Sequence, residues 1–481
     1  MNQVELPVSD EVSGFGPVDL YQKREKIIKR HVDGKFQKLR FYSGWPFLLG
    51  YLGTPWLSYE GRQLVLFDLP ARQFDIFGFS FWPQDLWLLG WLLMLAAFVL
   101  FTVTNIVGRL WCGYTCPQTV WTATFMWIEQ FCEGSRNQRV RMDSAPWSLT
   151  KIRKRFSKHA MWLGWALLTG LTFVGYFTPI REFAVHLGQF NWTGIGGWAL
   201  FWVGFFTIAT YLNAGWLREQ VCIYMCPYAR FQSAMIDRDT LIVSYNHHRG
   251  EPRGSIKRGV RTNDLDSSDL GAVTKGDCVD CQLCVQVCPT GIDIREGLQY
   301  QCIGCAHCVD ACNQVMSKIS APPDLISYTT LNALDGGTVR WLRPRSIGYA
   351  AVCCALGAAF VIAVLTRAPM DFDIIRDRGS LYTELANGDT KNDYQLKVMN
   401  KSHDQAEYRL RLVEPQWLQI KSPTTVNLAP GAMQDIPLTL VATSPPTPNS
   451  IVEVQLCNAQ GSRCVAEETR FIAKTPAVQR R

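Results

Sequence analysis

The sequence predicts a polytopic α-helical membrane protein of about five spans, interrupted by a cysteine-dense insertion and closed by a C-terminal immunoglobulin-like β-sandwich. Three observations predict it. Long uncharged apolar stretches recur through the first three-quarters of the chain. Eight cysteines crowd into residues 278–313. After residue 368 the apolar runs give way to period-2 alternation. At 481 residues, 48% hydrophobic and 12% aromatic, the chain has room for several domains and is rich in apolar side chains for a soluble protein.

The N-terminal 40 residues are polar and charged and lack the apolar stretch of a cleavable secretory signal, so they read as a cytoplasmic tail. A membrane domain follows over 41–237. Residues 86–104, 160–177, 192–216 and 346–366 carry no charge, and about twenty apolar residues at 1.5 Å rise cross a hydrocarbon core. A fifth stretch, 41–58, contains Pro46 and Pro55, which membrane helices tolerate better than soluble ones do.

Charge sets the orientation. Lys and Arg crowd the tail (Lys23, Arg24, Lys26, Lys29, Arg30, Lys35, Lys38, Arg40) and the 105–159 loop, with its run KIRKRFSK at 151–158. The opposite loops hold only Arg62, Arg72 and Arg181. Five spans then leave the tail, the 105–159 loop and 217–345 in the cytoplasm and the C-terminal segment outside. The net charge of +7 is accounted for by loops beside a bilayer and calls for no nucleic acid.

Twelve of the seventeen cysteines fall in four clusters, at 112/116, 222/226, 278–288 and 302–312, a pattern of metal ligation and not of a disulfide framework. After a polar linker at 238–275, residues 276–325 contain Cys278-x2-Cys281-x2-Cys284-x3-Cys288-Pro289 and Cys302-x2-Cys305-x2-Cys308-x3-Cys312. This is the spacing of a two-cluster ferredoxin, in which three thiolates of each run and the fourth of the other hold one [4Fe–4S] cluster. One cluster falls to Cys278, Cys281, Cys284 and Cys312, the other to Cys302, Cys305, Cys308 and Cys288. Zinc sites use two pairs of cysteines instead. Asn313 stands where the first run has Pro289, which removes no ligand. His307, inside the second run, reads as a polar neighbour of a set already complete. Such clusters pass single electrons.

Two further pairs, Cys112-x3-Cys116-Pro117 and Cys222-x3-Cys226-Pro227, each follow an apolar span, and each has an aromatic residue two places after its first cysteine. The membrane part therefore reads as a duplicated unit with parallel repeats. Within a helix, i and i+4 share a face, so each pair would present two thiols together. Four such thiols at the membrane surface suit Cu(I) or act as a redox-active dithiol; inert packing and a structural metal site remain open.

Residues 326–367 form a connector and the fifth span, in which Cys353 and Cys354 read as small packing residues. From 371 to 481 acidic and basic residues balance at thirteen each. The segments 394–398, 408–412, 436–441 and 451–456 alternate as half-buried strands between turn signals, so 368–481 is predicted to be a periplasmic sandwich. Cys457 and Cys464 lie close enough in it for a hairpin disulfide, which the sequence leaves undecided.

Taken with CGYTCPQTVW, CIYMCPYARFQ, RGEPRG, the two ferredoxin runs and stretches such as GRQLVLFDLPARQFDIFGFSFWPQD at 61–85, this order resembles the FixG/CcoG (RdxA) family over nearly the whole chain. The resemblance implies a bacterial inner-membrane accessory protein for cbb3-type cytochrome c oxidase, whose cytoplasmic clusters reduce Cu(II) to Cu(I). Its partners would be oxidase subunits or copper chaperones; the electron donor is unnamed. The Cys112, Cys116, Cys222 and Cys226 pairs match the family's motif. Three other readings compete: a quinone-linked electron-transfer subunit, a non-enzymatic assembly scaffold and a redox-sensing regulator.

Overall fold

The computed structural model describes residues 27–59, 61–254, 276–377, 379–402, 404–414, 417–443 and 447–473. The start of the expected tail, up to residue 26, and most of the expected linker, 255–275, lie outside the described residues. The chain divides into two compact units, Met1–Gly78 with Leu89–Ala358 and Phe79–Leu88 with Ala359–Arg481.

Among the described residues three helices are long and apolar enough to cross a membrane, at Pro83–Val107, Gly197–Leu217 and Pro344–Leu365, where five spans were expected. The other two stretches are helical but differ for visible reasons. Helix Lys35–Gly53 carries Lys35, Lys38 and Arg40 in its first turns and Pro46 within it. Helix Leu149–Val174 begins with the basic run and ends before the expected limit of 177, so only its second half is uncharged. It packs tightly on helix Gly197–Thr210. A Cβ at Gly170 would lie 2.7 Å from Thr207 Oγ1 and 2.9 Å from the Val203 carbonyl, the small-residue contact by which apolar helices approach closely.

Helix Leu86–Val107 stops at Gly108, which takes φ +58°. A side chain there would meet the Leu241 carbonyl oxygen at 2.6 Å, so glycine serves both the turn and the contact. That contact delivers the chain to the cysteine-rich part. There strands Ile242–Tyr245 and Ile326–Thr329 pair antiparallel, with Ile242 opposite Thr329 and Tyr245 opposite Ile326. Helices Leu283–Gln286 and His307–Lys318 pack against them around Val243, Ile294, Val309, Met316 and Leu325. Residues 238–254, expected as linker, thus supply a strand of this core.

The second unit is a sandwich of two antiparallel sheets. One orders Leu418–Ile420, Met433–Ala442, Thr390–Asn400 and Met370–Arg376, with Thr383–Glu384 beside the third; the other orders Thr425–Leu428, Ala406–Glu414, Asn449–Asn458 and Cys464–Ile472. The four strands read from alternation are all present and are longer than the alternation indicated. Leu396, Leu438, Val454, Leu456 and Phe471 fill the space between the sheets. Cys457 and Cys464 are cross-strand neighbours joined by a disulfide.

Asp85 anchors this unit. It is 6% exposed and accepts Trp82 N–H at 3.0 Å, the Arg367 guanidinium, and Lys401 Nζ at 3.3 Å; Lys401 also reaches Asp371 at 2.8 Å. Removing one member of a buried ion cluster leaves the others uncompensated. Asp85→Ala is therefore expected to destabilise the second unit by roughly 3 kcal/mol, seen as a lowered calorimetric transition of the detergent-solubilised chain. An unchanged transition would show that solvent already screens these charges.

Candidate metal centres

The two cysteine runs fold alike. In the first loop Asp280 and Gln282 take left-handed backbone conformations, at φ 50° and 55°; in the second, Gly304 and Ala306 do so at 66° and 56°. These are the same two places relative to the cysteines, so each loop coils around its own centre and then enters a helix. Only one of the four is glycine, so the loops hold a conformation that side chains disfavour.

Two cavities result. One is lined by Cys278, Cys281, Cys284 and Cys312, with Tyr245 and Arg295. The other is lined by Cys288, Cys302, Cys305 and Cys308, and Cys284 borders it as well. Each run thus sends its last cysteine to the cavity of the other. Among the described residues no three His, Cys, Asp or Glu side chains are set to hold a single ion, in these cavities or at the C-x3-C-P pairs. Four thiols lining each cavity match the ligand count of a four-iron cluster.

The electrostatics fit it too. Burial pushes the Cys302 and Cys312 thiols up to about 12 and Cys284 to about 11, and raises Cys288 and Cys308. Bare thiolates are therefore disfavoured here, and bound iron would offset that cost. All eight are free of disulfides. Arg295, beside Cys284, is held by Asp293 at 2.6 Å and by Asp280 at 2.5 Å, which ties down the first loop. His307 is fully buried with Nδ1 3.6 Å from Cys305 Sγ, as a polar neighbour should be.

The C-x3-C-P pairs also fold alike. Each second cysteine donates its N–H to the carbonyl five residues back, Cys116 to Trp111 at 2.9 Å and Cys226 to Val221 at 2.8 Å. Each then caps a helix that begins with proline, Pro117–Glu133 and Pro227–Met235. The expected shared helical face is not what brings the thiols together. The residue before proline is driven out of the helical region, so Cys116 and Cys226 lie in extended backbone.

The two pairs nevertheless meet. Cys222 lies within electrostatic reach of Cys112, Cys116 and Cys226, and Cys112 of Cys116 and Cys226. Cys112 Sγ donates to Gln232 Oε1 at 3.5 Å, on the helix after the second motif, and the Gln118 amide, on the helix after the first, donates to the carbonyls of Asn213 and Arg218 at 3.0 and 3.1 Å in the segment leading to Cys222. Arg218 is fixed in turn by Glu129, 3.1 Å away and 4% exposed, which also holds Arg139 at 3.1 Å. Burial raises Cys112 to about 11 and Cys222 to about 12.

The first pair rests directly on the second cysteine loop. Arg109 donates to the Tyr300 carbonyl and to the Cys302 carbonyl at 2.6 Å. A Cβ at Gly113 would lie 3.0 Å from both the Ile303 and Gly304 carbonyl oxygens. Sequence reading missed a second support, the strap formed by residues 27–37. Phe36 and Gln37 donate their N–H groups to Asp310 at 3.2 and 2.8 Å, and Arg30 N–H donates to the Gln286 carbonyl at 2.8 Å. Val32 packs on Val287 and Ala311. Its signal was an apolar spacing, at 28, 32 and 36, inside a basic tail.

Gly113→Ala forces two backbone carbonyls apart and is expected to lower thermal stability by about 1–3 kcal/mol. Gly164→Ala, whose Cβ would meet nothing within 4 Å inside a helix, is the matched control and should leave the transition unchanged or raise it slightly. Equal transitions for both variants would contradict the contact.

Residues 217–331 match the 4Fe-4S dicluster domain family, and residues 360–474 match the family described as the IG-like fold at the C-terminal of FixG. The chain is 38% identical over 434 residues to the nitrogen fixation protein FixG of Rhizobium meliloti (strain 1021), covering 82% of this chain and 80% of that one. It is 37% identical over 429 residues to protein RdxB of Cereibacter sphaeroides, covering 86% and 87%. Protein RdxA of the same organism is 37% identical over 407 residues, covering 81% and 83%.

Proposed function

The chain belongs to the FixG/CcoG (RdxA) family, and on that premise we propose that it reduces Cu(II) to Cu(I) for assembly of a cbb3-type cytochrome c oxidase. Its dicluster domain makes it an iron–sulfur redox protein. In this reading Cys278, Cys281, Cys284 and Cys312 hold one [4Fe–4S] cluster, and Cys302, Cys305, Cys308 and Cys288 the other. Bound there, the clusters supply electrons one at a time.

The carrying observation is the gathering of Cys112, Cys116, Cys222 and Cys226 with Gly113 seated on the Ile303 and Gly304 carbonyls. Copper is the substrate. Soft sulfur donors favour Cu(I), so these thiols, drawn in around copper, would stabilise the product over Cu(II). Copper would displace the protons that burial holds there. Gly113 and Gly304 remove the side chains that would otherwise separate the thiol group from the second cysteine loop.

Three apolar helices and the charge asymmetry support placement in a bacterial inner membrane with the cysteine-rich part in the cytoplasm. The Cys457–Cys464 disulfide suits a periplasmic C-terminal unit. Oxidase subunits or copper chaperones would take up the Cu(I).

The test uses the full chain in detergent, purified anaerobically, reduced and freed of reductant before Cu(II) is added. Loss of the reduced-cluster EPR signal should match Cu(I) captured by a chromogenic chelator. Replacing Cys112, Cys116, Cys222 and Cys226 together by serine should slow this at least about tenfold, as ligand losses do for metal affinity. Clusters that stay reduced while Cu(II) persists would refute the proposal.

A further inference from the structure

Helix Lys35–Gly53 turns one face, carrying Gln37, Arg40, Phe41, Gly44, Trp45 and Leu48, toward helix Pro117–Glu133. Between them lies a cavity of about 1250 Å³ of empty space, open solvent at its mouth included. Its walls are aromatic and aliphatic, with Trp127, Trp165 and Val120 opposite Phe41 and Trp45. Its polar lining comprises Lys29, Arg30, His31, Gln37, Gln130 and Arg40, the last 8% exposed, together with Glu129, which is paired with Arg139 and Arg218. Among the described residues Arg40 donates to the Thr119 carbonyl at 3.4 Å, and a guanidinium has five N–H donors in all.

The strap that lines this cavity also runs beside the second cysteine ring. The strap that supplies Lys29 and His31 bonds to Gln286, two residues before Cys288, and Ile27 packs over Gly291 just beyond it. Lys29 and Arg40 lie within electrostatic reach of Cys305, and Lys29 of Cys288 as well.

We propose that this cavity binds the headgroup of a membrane quinone. The inference rests on reading the cysteine rings as cluster sites. The flat aromatic walls suit a planar ring with an apolar tail. Clustered cationic donors suit the ring's carbonyl oxygens, which accept hydrogen bonds and carry no proton of their own. An anionic phospholipid would also satisfy the cations, but it gives no reason for the strap that lines the cavity to be tied beside a thiol ring. A quinone does, because its ring is the redox-active part and belongs beside a redox centre.

The probe is decylubiquinone, titrated calorimetrically into the detergent-solubilised full chain, with iron content and visible absorbance recorded on the same sample. Saturable binding is expected. Ala123→Phe, which fills the cavity with a ring, should weaken it by about tenfold or more, and Lys29→Gln should weaken it by about tenfold, as for a lost charged hydrogen bond. Both should retain wild-type iron. If Ala123→Phe loses iron or aggregates, Lys29→Gln decides alone. Absence of saturable binding in the wild type, or equal binding in both folded variants, overturns the proposal. So does displacement of the analogue by phosphatidylglycerol that the analogue cannot reverse, which would make this a lipid site. A wild-type chain that binds the analogue yet takes up no iron on anaerobic reconstitution would overturn the cluster reading and leave the quinone site standing.

Discussion

The arrangement depends on one close approach of two backbones. The turn around Gly113 and the loop at Ile303–Gly304 meet with no side chain between them, and Arg109 ties the two by donating to carbonyls on the far side. Gly304 is itself left-handed, and a Cβ there would lie 3.4 Å from the Arg109 carbonyl oxygen. A methyl group on Gly113 would have nowhere to go. Because this contact joins the helical part to the cysteine-rich part, the four-thiol group and the second cysteine ring cannot move independently. Thr240 and Arg343, both donating to the Asn105 carbonyl at 2.9 and 2.8 Å, brace the same junction from the end of the long apolar helix.

Duplication explains much of the rest. The two cysteine loops share their left-handed positions, and the two C-x3-C-P turns share a five-residue hydrogen-bonded closure followed by a proline-started helix. In both cases the two copies complete one another. The loops exchange their last cysteines between cavities, and the turns pool their thiols. Buried thiols at such density are costly as bare thiolates, and the cations Arg295, Arg109, Lys29 and Arg40 are placed around them where they moderate that cost.

Much of this was legible in the sequence because it depends on spacing. The 2-2-3 runs fixed which thiols are near neighbours, and alternation found the four main strands of the sandwich. Three of the five expected spans are long apolar helices, and the other two stretches are helices that carry charge in their first turns. The basic run from Lys151 to Lys158 is continuous with the apolar half of its helix, and Arg40 is buried within the first turns of another. The extended conformation of Cys116 and Cys226 was available from the proline that follows each, but helical periodicity was applied instead. The strap at 27–37 was hidden, since its apolar residues lie inside a basic tail and their partners, Asp310 and Gln286, are more than 250 positions away. No local pattern encodes a contact of that range.

The central claim is the exchange of Cys288 and Cys312 between rings, and pairwise ligand removal tests it most directly. Iron and acid-labile sulfide would be measured in two full-length variants reconstituted anaerobically. In one, Cys288→Ala is combined with Cys302→Ala; in the other, Cys288→Ala is combined with Cys281→Ala. The exchanged arrangement predicts that the first pair damages a single ring and keeps one cluster's iron, while the second damages both rings and keeps little. The opposite pattern, with iron retained only when Cys288 and Cys281 are lost together, would place each run's four cysteines on one cluster and contradict the account.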